Sequence, residues 1–309
     1  TYSSLPAAPI IIQGAQVLLP SGDIEPRDVA IAQGKITAVG TQLEVPPNTQ
    51  TIDATGLTLL PGVIDPQVHF GAPGVEHTED LFTATCACAK GGVTSFLEMP
   101  DTPPPTTTQS TLTDKLAIAA EKSLVNYGFF MGATSDNLAD LCEANPTCGI
   151  YLSMGLAGGP LSVETAETIE SIFAASADTA SPQENRLIAI HIENQAIHVE
   201  NQRRLAERRE QLVGAADPAN HTQAQDIETA LAATKLALSF SKQYQRRLHI
   251  LHVSTKEEAE LLRRDKPSWV TAEVPPQHLL LDVSAYPQLG TLAQINPSLQ
   301  YPRDRELLW

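Results

Sequence analysis

Two textures divide the chain at Pro61. Before it, short apolar runs are broken every few residues by glycine, serine or asparagine. "IIIQGAQVLLPSGD" predicts an apolar strand pair with Gly and Ser-Gly turns, and "DVAIAQGKITAVG" predicts two alternating strands around Gln33-Gly34. "TIDATGLTLLPG" repeats the theme. Residues 1–60 are therefore expected to form a small antiparallel β subdomain of short strands.

After Pro61, apolar runs alternate with Ala-, Glu- and Leu-rich stretches. The predicted strands are "GVIDPQVHF", "VTSFLEMP", "NYGFFMGA", "CGIYLSMG", "LIAIHIE", "RLHILHVS" and "WVTAEVP". Helix candidates lie around residues 79–90, 111–122, 136–144, 162–176, 193–211, 222–243 and 256–264. Such alternation means a parallel α/β architecture, and a (β/α) barrel over residues 61–309 fits it best. Seven such strands precede Trp309, one fewer than the eight of a full barrel. The expected fold is thus a (β/α)8-like barrel lacking about its last strand. Barrel chemistry collects at the C-terminal ends of the strands. His69, Asp101, Tyr151, His191, His252 and Glu273 each close or follow one of these runs.

Composition narrows the function classes. The formal net charge is −16 over 309 residues, which disfavours a phosphate backbone, so no nucleic-acid partner is expected. No run approaches the ~18 apolar residues of a membrane span. The first residues lack a basic segment ahead of their short apolar run, so no secretory signal is read. Cys86, Cys88, Cys142 and Cys148 suit neither a zinc ribbon nor an easy disulfide. They are expected to be reduced filler in a cytoplasmic protein.

A lone histidine beside an apolar strand is more often a hydrogen-bonded structural residue than a ligand. Three histidines at the ends of different strands, His69, His191 and His252, are better evidence, because those ends converge on one mouth. Pattern alone leaves a metal site and structural histidines both open. His77, His198 and His221 fall in loop or helix texture, and His278 lies just past a strand end, within reach of the mouth. His249 alternates out of phase with His252 and is expected to face the helix layer.

Several stretches carry a family resemblance: "LLPGVIDPQVHF", "EDLFTATCACAKGGVTSFLEMPDTPPPTT", "CGIYLSMG", "IAIHIENQA", "LHILHVST", "VTAEVPPQHLLL" and "LAQINPSLQYPRDRELLW". In this order and spacing the chain resembles the dihydroorotases and related cyclic amidohydrolases of the amidohydrolase superfamily, with wording closest to the cyanobacterial dihydroorotase branch. The resemblance implies a distorted barrel with a composite β-sandwich, and the interconversion of N-carbamoyl-L-aspartate and dihydroorotate in pyrimidine synthesis. It also implies one or two zinc ions, held by His-x-His on strand one, a carboxylated Lys on strand four, His on strands five and six, and an Asp on strand eight that doubles as general acid/base. Carried over, His69, His191 and His252 match ligands. Gln67 stands at the first His, Tyr151 at the Lys, Gly71 at the Arg that grips the substrate carboxylate, and Asp101 at the Asn of "MPNT". Asn296 of "NPSLQ" is retained, with Ser298 and Gln300 replacing Pro and Arg.

These departures have physical consequences. A tyrosine cannot form the bridging carbamate, and its phenol, with a pKa near ~10, is a poor ligand. A neutral amide at Gln67 suits zinc badly beside imidazoles. Losing the Arg removes a bidentate carboxylate contact, and Asp101 adds a negative charge where an anion would dock. The sequence therefore reads first as a catalytically inactive dihydroorotase-like subunit of an assembly, with no catalytic residue. Asp101 and Asn296 would be vestiges of a substrate site, and no cofactor is expected, although the retained histidines leave zinc open. A protein partner or second copy would cover the open barrel edge and the β subdomain. The alternative is a metal-dependent cyclic amidohydrolase with a changed substrate. A third expectation is that the native chain continues past Trp309, since "RDRELLW" looks like the middle of a helix.

Overall fold

The computed structural model describes residues 8–154, 161–163, 165–175, 185–192, 222 and 227–309. The expected helix at 193–211, with His198 and His221, lies outside the described residues. The chain separates into two compact units, Thr1–Val63 and Ile64–Trp309.

In the first unit, strands β1 (Ile10–Leu18), β2 (Ile24–Ala32), β3 (Lys35–Gly40), β4 (Gln50–Asp53) and β5 (Thr58–Leu59) make one sheet in the order β3-β2-β1-β4, with β5 also on β1. Two expectations are corrected. Ile10–Leu18 is one strand, not a pair: Gly14 (φ 75°) makes a bulge, with its N–H held by Asp28 Oδ1 at 3.1 Å, and the chain runs on. The sheet is also mixed, because β4 and β5 run parallel to β1. The β2–β3 hairpin turns at Gln33 (φ 52°) and Gly34 (φ 72°), the doubly left-handed turn that matches strand twist. Ala15, Val17, Val29 and Ala54 form the buried cluster of this unit.

In the second unit the strands are β6 (Val63–Val68), β7 (Val93–Glu98), β8 (Asn126–Phe129), β9 (Met131–Gly132), β10 (Ile150–Met154), β11 (Ser162–Val163), β12 (Ile188–Ile192), β13 (Leu248–Ile250) and β14 (Val270–Ala272). β6-β7-β8 pair in that order, as do β10-β12-β13-β14, with β9 and β11 on β10. β8 and β9 are one interrupted strand: β8 pairs β7, β9 pairs β10, and Phe130 between them donates its N–H to Glu98 O at 3.1 Å. The result is seven barrel positions among the described residues, with β6 and β14 at the ends of the series.

Alternation sorts the side chains into two layers. Phe96, Ile150, Leu152, Ile188, Ile190, Leu248 and Ile250 face outward and pack with Leu81, Leu112, Leu141, Ile169, Phe173 and Leu261 of the surrounding helices. Met99, Phe130, Tyr151, Leu161, Ala189 and Leu251 form a separate inner cluster without helix residues. The helices are Leu81–Gly91, Gln109–Lys122, Leu138–Glu143, Ala166–Ala175, Ile227–Tyr244 and Lys256–Asp265, followed by shorter turns and a last helix, Pro302–Leu308. Their starts are written in the sequence. Asp80 accepts from Thr83 N at 2.8 Å, and Thr255 and Glu258 form a capping box. No helix among the described residues is long and apolar enough to cross a membrane.

Candidate active site

Register fixes which side chains enter the barrel. Tyr151, Ala189, His249 and Thr271 lie side by side, and Tyr151 and Ala189 belong to the inner cluster. His249 therefore faces inward, where its ring nitrogens meet Thr271 Oγ1 at 2.7 Å and Glu273 Oε2 at 3.0 Å. The expectation that it faces the helices is corrected. Strand parity ends at Ile250, and His252 takes a left-handed φ of 40°, so the two histidines are not out of phase.

His191 is paired with Ser153, one inward row above Tyr151. Its Nδ1 lies 2.6 Å from His252 Nε2, with ring centroids 4.5 Å apart and planes at 76°. Both rings are buried. Burial holds His252 well below its ordinary pKa, and the neighbouring His191 adds to this. One ring nitrogen of the pair donates to the other.

His69 follows β6 and turns to another partner. Its Nδ1 lies 2.9 and 3.0 Å from the two oxygens of Asp101, which follows β7. Both side chains are about half exposed. Partial burial works to raise the Asp101 pKa, but the hydrogen bond and charge of His69 outweigh it and leave it lowered. A buried latch lies beneath the pair. Glu98 Oε1 accepts from Phe70 N and from Thr102 Oγ1, each at 3.1 Å. Thr102 Oγ1 also reaches Phe70 O at 2.9 Å, and Lys115 Nζ donates to Thr102 O at 2.7 Å. Phe70 and Thr102 each adjoin a member of the pair, so the latch ties the ends of β6 and β7 together. Burial pushes Glu98 up to about 8 despite its donors, so the carboxyl is protonated near neutrality.

A cavity of about 440 Å³ opens between β6 and β14. Asp65, Gln67, His69, His252, Glu273, His278 and Asn296 are among its lining residues. Burial raises the Asp65 pKa, and Glu273 adds to the rise against the pull of the Gln67 N–H and of His69.

The remaining positions explain what a family-type site would meet here. Tyr151 is buried in the apolar inner cluster, below the row of His191. A Cβ at Gly71 would lie 2.6 Å from Glu79 O and 2.8 Å from Val75 O, so the backbone of the 71–79 turn leaves no room for a side chain. The structure brings His191 and His252 together but pairs His69 with Asp101. Among the described residues no group of three or more His, Cys, Asp or Glu side chains is arranged to hold a metal ion. A bridged two-zinc site does not fit a buried tyrosine and a neutral amide. His191 and His252 offer two nitrogens to a single cation, two of the three protein ligands that a catalytic zinc uses.

No family model matches the chain. Among curated proteins, it is 32% identical over 309 residues to a dihydroorotase of Listeria welshimeri, covering 96% of this chain and 67% of that protein. The chain belongs to the dihydroorotase-like cyclic amidohydrolases. An allantoinase of Deinococcus radiodurans is 29% identical over 306 residues, 97% of this chain and 66% of that one. The L-hydantoinase (dihydropyrimidinase) of Arthrobacter aurescens superposes with a TM-score of 0.86 at 24% identity, covering 97% of this chain and 65% of that one, and so shares the barrel fold. The first curated relatives are longer: this chain spans about three fifths of their length, 58–61%. The strand-eight Asp missing from these 309 residues therefore says nothing about the whole protein's chemistry.

The sequence pattern does not single out Glu98, Asp65 or the inward turn of His249, and gives Glu273 no role, whereas His278, expected within reach of the mouth, does line the cavity. The signal for Glu98 was a charged residue in the last position of an apolar strand, where a buried acid needs donors. Glu273 was visible as a polar strand end. Its pairing with His249 was not.

Proposed function

We propose that this cyclic amidohydrolase opens or closes a ring amide other than dihydroorotate, at the mouth formed by His191, His252, His69 and Glu273. The observation that carries the reading is the convergence of His191 and His252 at 2.6 Å beside a ring-sized cavity. These two residues would hold one metal ion, which when bound polarises the ring carbonyl. The chain's own groups do the remainder. Asp101 holds the His69 ring by Nδ1, and His69 lines the cavity. The described residues lining the cavity include the carboxylates Asp65 and Glu273 and no Lys or Arg, which argues against the anionic substrate of dihydroorotases.

Metal analysis run with a substrate panel tests this. The expected result is at most one zinc per chain, lost in His191→Ala and His252→Ala but kept in His69→Ala. Turnover is expected of a neutral or cationic hydantoin or dihydropyrimidine and not of dihydroorotate. Absence of zinc together with absence of turnover on every ring would overturn it.

Tyr151 supports a second reading, because a buried phenol at the lysine position removes the bridging carbamate. In that reading the protein is a non-catalytic subunit, and a partner or second copy covers the barrel edge and the β subdomain. A larger assembly in solution without zinc would favour it.

A further inference from the structure

Thr271, His249 and Glu273 form a hydrogen-bonded chain that ends in the cavity. Thr271 and His249 are register partners on β14 and β13, and Thr271 Oγ1 lies 2.7 Å from His249 Nδ1. His249 Nε2 lies 3.0 Å from Glu273 Oε2. A carboxylate oxygen only accepts, so Nε2 carries the proton, and Nδ1 of the neutral ring accepts from the Thr271 hydroxyl. The backbone of Glu273 is fixed as well. Its N–H donates to Ile250 O at 3.0 Å, and its carbonyl accepts from Val253 N at 2.9 Å. The side chain lines the cavity, and its Oε1 has no hydrogen-bond partner among the described residues and stays open to solvent. One oxygen is thus anchored and the other is free, on a backbone that cannot swing. The His69–Asp101 pair offers a second base at this mouth, but its side chains are 47% and 46% exposed, against 16% for His249 and Glu273. Water competes more for the bond that orients the more exposed pair.

We infer that Glu273 is the general base and acid of the ring-amide reaction, and that His249 and Thr271 are positioning residues that aim its free oxygen into the cavity. The assignment rests on the ring-amide reading above and names the proton carrier for that site. In ring opening, the oxygen of a water molecule bonds to the ring carbonyl carbon. The water's proton passes to Glu273 Oε1, because Oε2 is held by His249. The C–N bond then breaks, its electron pair leaves with the ring nitrogen, and that nitrogen takes the proton from Oε1. The product is an open-chain carbamoyl acid, and Glu273 is a carboxylate again. Ring closure runs the same steps in reverse. A side chain positioned for such transfers contributes about 10²–10⁴-fold in rate.

Steady-state kinetics of the full chain with hydantoin and dihydrouracil, followed on whichever ring the wild type opens, test it. Glu273→Ala is expected to lose about 10²-fold or more in kcat, with KM changed by less than about threefold. Sodium formate, a carboxylate small enough for the space left behind, should restore kcat at least about tenfold in Glu273→Ala and not act on the wild type. His249→Leu removes the anchor and should lower kcat with KM kept. His249→Gln, whose amide still donates to Glu273, should recover part of that loss. A merely structural role would produce neither the formate effect nor the difference between Gln and Leu. Should Glu273→Ala fail to fold, the two His249 variants decide: equal kcat in both would overturn the assignment. So would Glu273→Ala with wild-type kcat, a loss confined to KM, or a loss that formate does not reverse. A larger kcat loss in His69→Ala than in Glu273→Ala would overturn it in favour of the other pair. In each of these outcomes the wild type still opens the ring, so the assignment falls alone. A wild type that opens no ring sinks the ring-amide reading and takes the assignment with it.

Discussion

The centre and the ends of the barrel series treat their polar residues in opposite ways. β12 and β13 are paired on both sides, and Ile188, Ile190, Leu248 and Ile250 are fully buried. β6 and β14 are each paired on one side among the described residues, and Val63 and Ile64 of β6 are 53% and 62% exposed. The imidazoles delivered by the centre, His191 and His252, are buried and lie within hydrogen-bond reach of one another. The groups delivered by the ends, His69, Asp65 and Glu273, line an open cavity. A strand covered on both faces fixes its chemistry by desolvation, whereas an end strand leaves room for residues to be exchanged. Gln67 and Gly71, where the family resemblance implies a His and an Arg, lie on and just past the end strand β6. Tyr151, where it implies a Lys, is on doubly paired β10 and sits in the inner apolar cluster.

The bluntest way to break this comparison is to truncate one residue from each region. Ile190→Ala removes a fully buried side chain packed between strand and helix and is expected to cost about 2–5 kcal/mol. Ile64→Ala, on a side chain more than half exposed, should stay within about 0.5 kcal/mol. Urea unfolding midpoints compare the two. Equal costs would mean that β6 is as covered as the centre.

A second test sharpens the end-strand side. Gly71→Arg puts back the residue type of the family's carboxylate clamp. The new Cβ meets Glu79 O and Val75 O well inside contact distance, so the 71–79 turn has to move. The expected result is a loss of about 1–3 kcal/mol by thermal unfolding, with no gain in dihydroorotate binding. Unchanged stability with a gain of binding would show that the turn is still adapted to that substrate.

What could be read from the sequence divides along the same line. Central strands announce themselves as continuous apolar runs because both of their faces are buried. "LIAIHIE" and "RLHILHVS" therefore located β12, β13 and the His191–His252 pair. Two features of the first unit were not legible. The bulge at Gly14 looks like a turn until Asp28 is seen to hold its N–H, and nothing local announces that β4 and β5 pair parallel to β1. In the site, the His69–Asp101 bond depends on two adjacent strand ends meeting across 32 residues, which no short-range pattern encodes. The one clue was the carboxylate at 101, which was read as a lost substrate contact.

The latch under the His69–Asp101 pair gives a pH-dependent test. The Glu98 pKa is raised in the folded protein from 4.5 to about 8, because burial penalises the charged form. Between those values the folded chain holds a proton that the unfolded chain has released. The stability associated with neutral Glu98 is therefore full below about pH 4.5 and falls as pH rises toward about 8, by at most about 1.4 kcal/mol per pH unit. Glu98→Gln keeps a neutral side chain of the same shape. It should flatten that slope in urea midpoints measured from pH 5 to pH 8, and an unchanged slope would assign the dependence to other groups.

The smallest effect is expected at the pair itself. Asp101→Asn exchanges the carboxylate for the amide of the family pattern and leaves His69 one hydrogen-bond acceptor. Both partners are about half exposed, so water competes for the 2.9 Å contact and salt screens it. A cost of about 0–1 kcal/mol is expected in low salt, smaller still at about 0.5 M, and read by the urea midpoint. Zinc content should not change, because His191 and His252 lie in the other region. A loss of several kcal/mol, or loss of zinc along with the carboxylate, would mean that the end of β6 is coupled to the buried pair, and that the separation between a fixed centre and an exchangeable edge does not hold at this mouth.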